Sequence, residues 1–123
     1  MTVPDWAGYL RFRPQFEEIL DPARYPIEWL DDKILTGEFK LWVGEGAAIV
    51  AKLEHYPTGA MDIHGMIAAG SLEEIRGVLI PMAEHWAREI GCIGAMISSR
   101  EGWAKALKAN GYEAHQVVVR KEL

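Results

Sequence analysis

Prolines divide the N-terminal part of the sequence into short stretches. They lie at Pro4, Pro14, Pro22 and Pro26. A proline removes a backbone donor and its ring collides with the preceding helical turn, so this pattern predicts short helices joined by turns. One predicted helix begins at Pro14 and covers residues 14–20. The next begins at Pro26, covers residues 26–35 and is closed by Gly37.

Three strand-like runs follow, and short turns rich in glycine separate them. The runs cover residues 39–44, 46–56 and 60–69. Such short connections favour hairpins, so the runs predict an antiparallel meander. In the third run, Met61, Ile63, Gly65 and Ile67 alternate with Asp62, His64, Met66 and Ala68. This period of two predicts one apolar face and a second face that carries Asp62 and His64.

The longest periodic stretch predicts a helix from about Leu72 to Ile90. Its apolar positions recur at helical spacing and form one stripe, which consists of Leu72, Ile75, Leu79, Met82, Trp86 and Ile90. Ser71 and Glu74 make a capping box at the start of the helix. Pro81 lies inside it, and because proline lacks a backbone donor we predict a kink there.

Three more elements complete the predicted order. Residues 92–98 form a buried strand, residues 101–112 a short helix, and residues 113–123 a last strand. The crossover through the long helix makes the strands at 60–69 and 92–98 parallel. The sequence therefore predicts an α/β fold as one domain over residues 1–123. An antiparallel meander is followed by a β-α-β crossover, a helix and a final strand in a mixed sheet.

Composition and charge narrow the classes of function. The chain has 123 residues, of which 50% are hydrophobic, and a net charge of −5. An acidic protein is repelled by phosphate backbones and anionic lipids, so we expect neither nucleic acid nor membrane as a partner. Cys92 is the only cysteine, and no leader pattern or membrane-length apolar run is evident. These features predict a reducing, cytoplasmic location.

The order of elements over residues 39–123 resembles the GNAT acyltransferase fold. The closing stretch "SREGWAKALKANGYEAHQVVVRKEL" looks like the C-terminal half of a GNAT protein. Its GW and GY pairs also resemble phage-encoded GNAT-like proteins, some of which are virion components. The resemblance implies that the strand before the long helix splays from the next strand and that acyl-coenzyme A lies in the cleft between them. The cofactor-binding candidates are then Met66, Ile67, Ala68, Gly70, Ser71 and Ser99.

The stretch "AAGSLEEIRG" departs from the coenzyme loop of that family, which has a Gln/Arg-x-x-Gly-x-Gly/Ala pattern. Gly70 and Ser71 allow a close backbone approach, but the Gly-x-Gly spacing is absent. Glu73 and Glu74 add negative charge where a pyrophosphate would bind. Each such pair at ~5 Å and an effective dielectric of ~20 costs on the order of 3 kcal/mol. The same glutamates suit a bare helix N-terminus, so the sequence favours a capped helix and a degenerate coenzyme loop.

A second departure concerns the tyrosine that protonates the leaving thiolate in many GNAT enzymes. Leu107 occupies its position, on one helical face with Trp103. Tyr112 is the nearby phenol, and it occupies a place that usually serves packing. Cys92 lies in an apolar strand, so we expect a small buried hydrophobe rather than a nucleophile.

Acyl transfer to an amine also needs a base, for which the catalytic candidates are Glu54, Asp62 and His64. A hairpin can bring Glu54 close to Asp62 or His64 across the sheet. The alternative is a solvated sheet face with a satisfied histidine. The acidic and histidine residues here lack the tight spacing of metal ligands, so no metal site is predicted.

Three classes of function fit the sequence. It favours a non-catalytic binding or structural module, with protein partners or self-association and with a phage virion as one location. The alternative is an acyl-CoA-dependent N-acyltransferase with a degenerate loop, with acetyl-CoA as cofactor and a small amine as substrate. The third is a binder of another small ligand in the same cleft. The polar end of the strand at 92–98 could touch such ligands through Ser98, Ser99 and Arg100, although Ser99 could equally cap the next helix.

Overall fold

The computed structural model describes residues 5–99 and 101–123, in which helices pack on both faces of one sheet. The helices are α1 (Trp6–Ile19), α2 (Ile27–Leu35), α3 (Leu72–Glu74), α4 (Ile80–Glu89) and α5 (Glu101–Ala106). The strands are β1 (Lys40–Val43), β2 (Ala47–His55), β3 (Met61–Gly70) and β4 (Gly94–Ile97). A π-helical turn over Ile75–Leu79 joins α3 to α4, so residues 72–89 form one long helix. None of the helices in the described ranges is long and apolar enough to cross a membrane.

The four strands form a mixed sheet in the order β1-β2-β3-β4. β1 and β3 each pair antiparallel with β2, and β4 pairs parallel with β3. The predicted meander and crossover are confirmed, and the chain has the expected mixed α/β fold. β4 is short and pairs with Asp62–Gly65, whereas β3 continues to Gly70 beyond the end of β4.

Each face of the sheet is covered by its own apolar core. Under α1 and α2, the buried residues include Tyr9, Phe16, Leu30, Ile34, Ala48, Val50 and Ala69. Under the long helix, they include Ile75, Leu79, Ala83, Ala87, Ala47, Ile49, Ala51 and Ile63. Because both faces are covered, the first half of β2 is a continuous apolar run rather than an alternating one. Leu107 is 2% exposed and lies in the second core with Trp103, which confirms their predicted shared face.

A β-bulge at Met66 reverses the faces of β3. The pairing with β2 skips this residue, so Met66 is the extra residue of the bulge. Asp62 and His64 precede it on one face, but Ile63 and Ile67 lie in opposite cores. The prediction of one apolar face along the whole strand is wrong, because one inserted residue reverses the parity of every later side chain.

The buried face of the long helix shifts by one residue at the π-helical turn. Before and within the turn the buried residues are Ile75 and Leu79, as predicted. After it they are Ile80, Ala83 and Ala87, while Met82 is 50% and Ile90 39% exposed. A π turn holds one residue more than an α turn, so the helix beyond it is out of phase with an uninterrupted period of 3.6. The predicted stripe is therefore wrong at Met82 and Ile90, and also at Leu72, which is 41% exposed. Trp86 packs against the core as predicted.

Pro81 is the second residue of α4 and directly follows the junction with the π turn. The Ile80 amide closes that turn by donating to the Ile75 carbonyl. In a regular α-helix, Pro81 would leave the Gly77 carbonyl without its donor. The kink predicted at Pro81 stays a prediction, and the irregularity found directly before this residue is a π turn.

α1 runs through Pro14 instead of beginning there, so the predicted helix start is wrong. Asp5 caps α1, and its carboxylate accepts a hydrogen bond from the Gly8 amide at 2.9 Å. Helical spacing buries three aromatic residues of α1, which are Tyr9, Phe12 and Phe16. Their packing outweighs the cost of an interior proline, which is about 3 kcal/mol.

Asp31 ties α2 to α1. Its carboxylate accepts a hydrogen bond from the Tyr9 hydroxyl at 2.6 Å and two from the Arg13 guanidinium at 2.7 and 2.8 Å. The Arg13 guanidinium holds the pKa of the Asp31 carboxyl below its usual range, and the Tyr9 hydroxyl acts in the same direction. α2 begins after Pro26 and is followed by Gly37 at a φ of 77°, as predicted.

The last strand, predicted over residues 113–123, is wrong, because this described segment carries no strand. Its β-branched residues Val117, Val118 and Val119 are 85%, 89% and 87% exposed. An ion pair of 2.9 Å between Arg24 and Glu122 links the segment to the rest of the chain. Strand propensity is realised only against a neighbouring strand and a core, and this segment packs against neither.

Candidate active site

His64 is held between two side chains from neighbouring strands. Its Nδ1 lies 2.9 Å from Glu54 Oε1 on β2, and its Nε2 lies 2.6 Å from the Ser98 hydroxyl just beyond β4. The register explains this arrangement, because His64 pairs with Lys52 on one side and with Met96 on the other. Glu54 and Ser98 each follow those partners by two residues and so lie on the same face.

The groups around Glu54 determine which nitrogen of His64 carries the proton. The hydrogen bond from His64 and the ammonium of Lys52, 3.1 Å away, lower the pKa of Glu54 below its usual value. Glu54 is therefore a carboxylate at neutral pH and only accepts hydrogen bonds, so Nδ1 of His64 carries the proton that faces it. In the neutral ring, Nε2 then accepts from the Ser98 hydroxyl. This is the arrangement of a general base that a carboxylate orients.

Asp62, the third catalytic candidate, is bonded elsewhere. Its Oδ2 accepts a hydrogen bond from the Tyr56 hydroxyl at 2.9 Å, and this bond raises the pKa of Tyr56. Its carboxylate also lies against Gly94, where an added Cβ would stand 2.6 Å from Oδ1. The structure thus brings Glu54 and His64 together. Asp62 instead contacts Tyr56 in the β2–β3 turn and Gly94 in β4.

A cleft of about 420 Å³ opens where β4 ends. One wall comes from α1, with Gln15, Glu18 and Ile19. The other comes from the long helix and α5, with Ile75, Ile80 and Trp103. Residues 65–70 of β3 form its floor, and Ser98 and Ser99 lie at the end of β4. The cleft is thus mostly apolar, with polar side chains at Gln15 and Glu18 on the α1 wall and at Ser98 and Ser99 at the end of β4.

The floor of the cleft is an unpaired edge of β3. β4 ends at Ile97 opposite Gly65, and β2 lies on the other side of β3. The backbone groups of residues 66–70 that point away from β2 therefore face the cleft without a strand partner in the described chain. An extended ligand that carries amides could pair with such an edge. Five of the six cofactor-binding candidates line this cleft: Met66, Ile67, Ala68, Gly70 and Ser99.

Ser71, the sixth candidate, serves the helix start. Its hydroxyl accepts a hydrogen bond from the Glu74 amide at 3.3 Å, which is half of the predicted capping box. The other half is missing, because the Ser71 amide donates to the Gly46 carbonyl at 2.8 Å. The Glu74 carboxylate accepts instead from the Gly46 amide at 2.9 Å. The turn between β1 and β2 therefore closes over the start of the long helix.

Gly70 makes this close approach possible. Its φ is 98°, in the left-handed region that favours glycine. A Cβ at this position would lie 2.1 Å from the Gly46 carbonyl oxygen. The glycine of the "AAGSLEEIRG" stretch is therefore required by the contact between two backbone segments.

Neither the thiol nor the phenol considered from sequence lines the cleft. Cys92 precedes β4 and is partly buried, so its predicted place as a buried residue inside the strand is wrong. Burial and the charge of Asp62 raise the pKa of its thiol. The Tyr112 hydroxyl donates to Glu84 at 2.6 Å. Burial, and then that hydrogen bond, raise the pKa of Tyr112 above its usual value. Leu107 is buried in the core, so none of these positions presents an acid to the cleft.

The contact between Ser98 and His64 is the feature that the sequence did not predict. Ser98 was considered only as a polar group at a strand end. The register of the parallel strands could have indicated this contact. With Met96 opposite His64, Ser98 is the next residue on the same face of β4 and so lies beside the histidine. Arg100 lies outside the described residues. Across residues 5–99 and 101–123, no cluster of three His, Cys, Asp or Glu side chains could hold a metal ion.

No protein-family model matches the sequence, and the curated proteins contain no match either. Solved structures do match. An acetyltransferase from Trypanosoma brucei has a TM-score of 0.65 at 15% identity, with 97% of this chain and 93% of that chain covered. Glucosamine-6-phosphate N-acetyltransferase from Arabidopsis thaliana has a TM-score of 0.68 at 10% identity, with coverage of 99% and 94%. A predicted acetyltransferase from Clostridium acetobutylicum, solved with acetyl-CoA, has a TM-score of 0.62 at 12% identity, with coverage of 95% and 88%.

At these identities the similarity establishes the fold, which is GNAT-like as the sequence predicts. The N-terminal helices fall within the match, because it extends over nearly the whole chain. The resemblance to phage-encoded proteins and a virion location stay predictions.

Proposed function

We propose that the protein transfers an acyl group from acyl-coenzyme A to an amine, with His64 as the general base. One observation carries the proposal: His64 lies between Glu54 and Ser98, and Ser98 lines the cleft where the unpaired edge of β3 begins. The acetyltransferases that share the fold support the same reaction class. Acetyl-CoA is the donor we propose first, since one of these structures was solved with it.

The unpaired edge of β3 provides a place for the coenzyme arm. Residues 66–70 span roughly 16 Å in extended conformation, and the amides of a pantetheine chain can pair with their backbone groups. The thioester at the end of such a chain lies near Met66, one residue beyond Gly65. The Ser98 amide donates to the Gly65 carbonyl at 3.3 Å, so His64 and Ser98 flank this position.

The acceptor enters from the side of α1. Glu18 and Gln15 line that wall of the cleft and offer acceptor oxygens to a cationic amine. The amine must lose a proton to become a nucleophile, and Nε2 of His64 is the group positioned to take it. Glu54 stabilises the imidazolium that results, because its carboxylate faces Nδ1.

The helix start favours a second candidate, the non-catalytic binding module. Glu73 is exposed in the first turn of the long helix. The Ser71 amide and the Glu74 carboxylate are already hydrogen-bonded to Gly46 in the β1–β2 turn. Such a helix end is poorly suited to a pyrophosphate. In that case the cleft binds a smaller or less charged ligand, and the protein acts without catalysis through protein partners, self-association or a place in a virion.

Two measurements separate the candidates. We expect titration calorimetry to detect acetyl-CoA binding, and a thiol-release assay with a panel of primary amines to detect turnover. His64→Asn should lower kcat/KM about 100-fold, since a positioned base contributes at least that factor. His85→Asn is the control, because His85 is exposed and bonded to Glu89 on the far part of the long helix. Binding of acetyl-CoA without turnover of any amine would favour the non-catalytic module, and equal turnover rates in both variants would exclude His64 as the base.

A further inference from the structure

Ser98, His64 and Glu54 form a chain of hydrogen bonds that ends in a hydroxyl group. The Ser98 oxygen lies 2.6 Å from His64 Nε2, and His64 Nδ1 lies 2.9 Å from Glu54. A hydroxyl that donates to a carboxylate-oriented imidazole is the arrangement that activates serine as a nucleophile. The His64 side chain is 13% exposed, whereas Ser98 is exposed and lines the cleft. The base is therefore shielded and the hydroxyl is accessible.

We propose that Ser98 is a catalytic nucleophile and that acyl transfer proceeds through an acyl-serine ester. The proposal rests on the acyltransferase function proposed above and adds a covalent step to it. The Ser98 oxygen attacks the thioester carbonyl carbon and its proton passes to His64 Nε2. The carbon–sulfur bond then breaks, and the thiolate leaves with the proton from His64.

The second half of the reaction reverses these roles. An amine attacks the ester carbonyl and gives its proton to His64, the bond between the acyl carbon and the Ser98 oxygen breaks, and Ser98 regains the proton. The products are an amide and free serine. If water takes the place of the amine, the products are a carboxylic acid and the free enzyme. The site therefore also catalyses slow hydrolysis of the thioester in the absence of an amine.

The edge of β3 supplies what a serine nucleophile requires beside the base. A thioester oxygen that becomes negatively charged needs backbone N–H donors. Residues 66–70 present unpaired backbone groups to the cleft, and the hydrogen bond from the Ser98 amide to Gly65 fixes the serine next to them. In this scheme the His64 imidazolium protonates the leaving thiolate. The reaction therefore does not need a tyrosine at the position of Leu107.

Mass spectrometry of the acid-quenched protein tests the step. The intact chain is mixed with acetyl-CoA without amine, and we expect it to gain one acetyl group, which peptide mapping places on Ser98. Hydroxylamine should remove the group, because it cleaves esters, whereas an acetyl-lysine at nearby Lys52 would resist. Ser98→Ala and His64→Asn should abolish the adduct. Thr36→Ala removes an exposed hydroxyl far from the cleft and should leave it unchanged.

Kinetic measurements test the role of Ser98 if the acyl-serine ester reacts too fast to accumulate. We expect Ser98→Ala to lower the rate of thiol release about 100-fold or more, both with amine and with water. The native protein should show the parallel-line pattern of a ping-pong reaction. Turnover by Ser98→Ala within a few-fold of native, with no adduct on either protein, would overturn the nucleophile and leave the acyltransferase proposal intact. Acetyl-CoA binding without thiol release from the native protein would overturn both.

Discussion

Glu74 joins the start of the long helix to the turn between β1 and β2, because its Oε2 accepts a hydrogen bond from the Gly46 amide at 2.9 Å. The Ser71 amide donates back to the Gly46 carbonyl at 2.8 Å, so helix start and turn form one unit. From the sequence, Glu73 and Glu74 were expected to repel a pyrophosphate together. The structure turns Glu74 toward Gly46 and leaves Glu73 exposed, so the repulsion is expected mainly from Glu73.

Glu73→Gln should tighten acetyl-CoA binding about fivefold at low salt, because one unfavourable charge pair worth roughly 1 kcal/mol is removed. The gain should shrink as salt is added, since exposed charges are screened. Calorimetric titration at two ionic strengths measures both effects. Glu28→Gln, an exposed glutamate in the first turn of α2, is the matched control and should leave affinity unchanged. An affinity that does not change with the substitution at either salt concentration would mean that shape, not charge, limits binding.

Gly70→Ala should lower the free energy of unfolding by more than about 2 kcal/mol, because the methyl group meets a backbone oxygen at a positive φ. Gly77→Ala is the matched control, since an added Cβ there has no neighbour within 4 Å. It should be neutral or stabilise the protein by up to about 1 kcal/mol, as alanine does in helices. Urea unfolding of both variants measures the difference. Equal stability of the two variants would contradict the tight contact between Gly70 and Gly46.

Leu107→Ala should cost about 2–5 kcal/mol, because Leu107 is 2% exposed in the core under the long helix and its truncation leaves a cavity. Val118→Ala removes apolar atoms from a residue that is 89% exposed. It should change stability by less than about 0.5 kcal/mol. Chemical denaturation curves provide both values. A large loss in the Val118 variant would show that residues 113–123 pack against the fold in solution.

Asp31→Asn should destabilise the protein more at neutral than at acidic pH. The Arg13 guanidinium lowers the native pKa of Asp31 below its ordinary value of 3.8. A depressed native pKa contributes stability above the unfolded pKa, and this contribution is lost as the pH falls through the native pKa. The difference between native and variant should therefore be constant above about pH 5 and shrink below pH 3.8.

Thermal unfolding of native and variant across this pH range provides the comparison. Asp32→Asn, at the exposed neighbouring position, is the control and should have little effect. If native protein and Asp31→Asn differ in stability by the same amount at the lowest pH, the charge of Asp31 does not contribute to that difference.

The fold was predictable because local patterns of this chain agree with its topology. Glycine-rich turns define the hairpins, and the crossover through the long helix makes the strands at 60–69 and 92–98 parallel. The errors fall where the backbone departs from regular periods. The bulge at Met66 has no residue signature, and Pro81 signals an irregularity in the long helix without showing that it is a π turn.

The candidate site was predictable in part for a related reason. Glu54 and His64 lie on strands joined by one hairpin, so sequence distance alone suggests their contact. Ser98 reaches His64 through a crossover whose register no local pattern reveals. Only the second half of α1 was predicted, because Pro14 was taken as a start signal, whereas burial of the aromatic side chains around it outweighs the lost hydrogen bond.

The π turn has the effect of a single-residue insertion in an otherwise α-helical sequence. A regular α-helix with no residue removed would rotate the rest of the long helix by about 100° and turn Met82 toward the sheet in place of Ala83. The two alanines allow the helix to approach β2 and β3 closely, and larger side chains would force it outward and change the width of the cleft. Deleting one residue from 75–79 would instead remove the π turn and leave Ala83 and Ala87 against the sheet. The π turn, and not only the composition of this helix, therefore determines which side chains face the sheet.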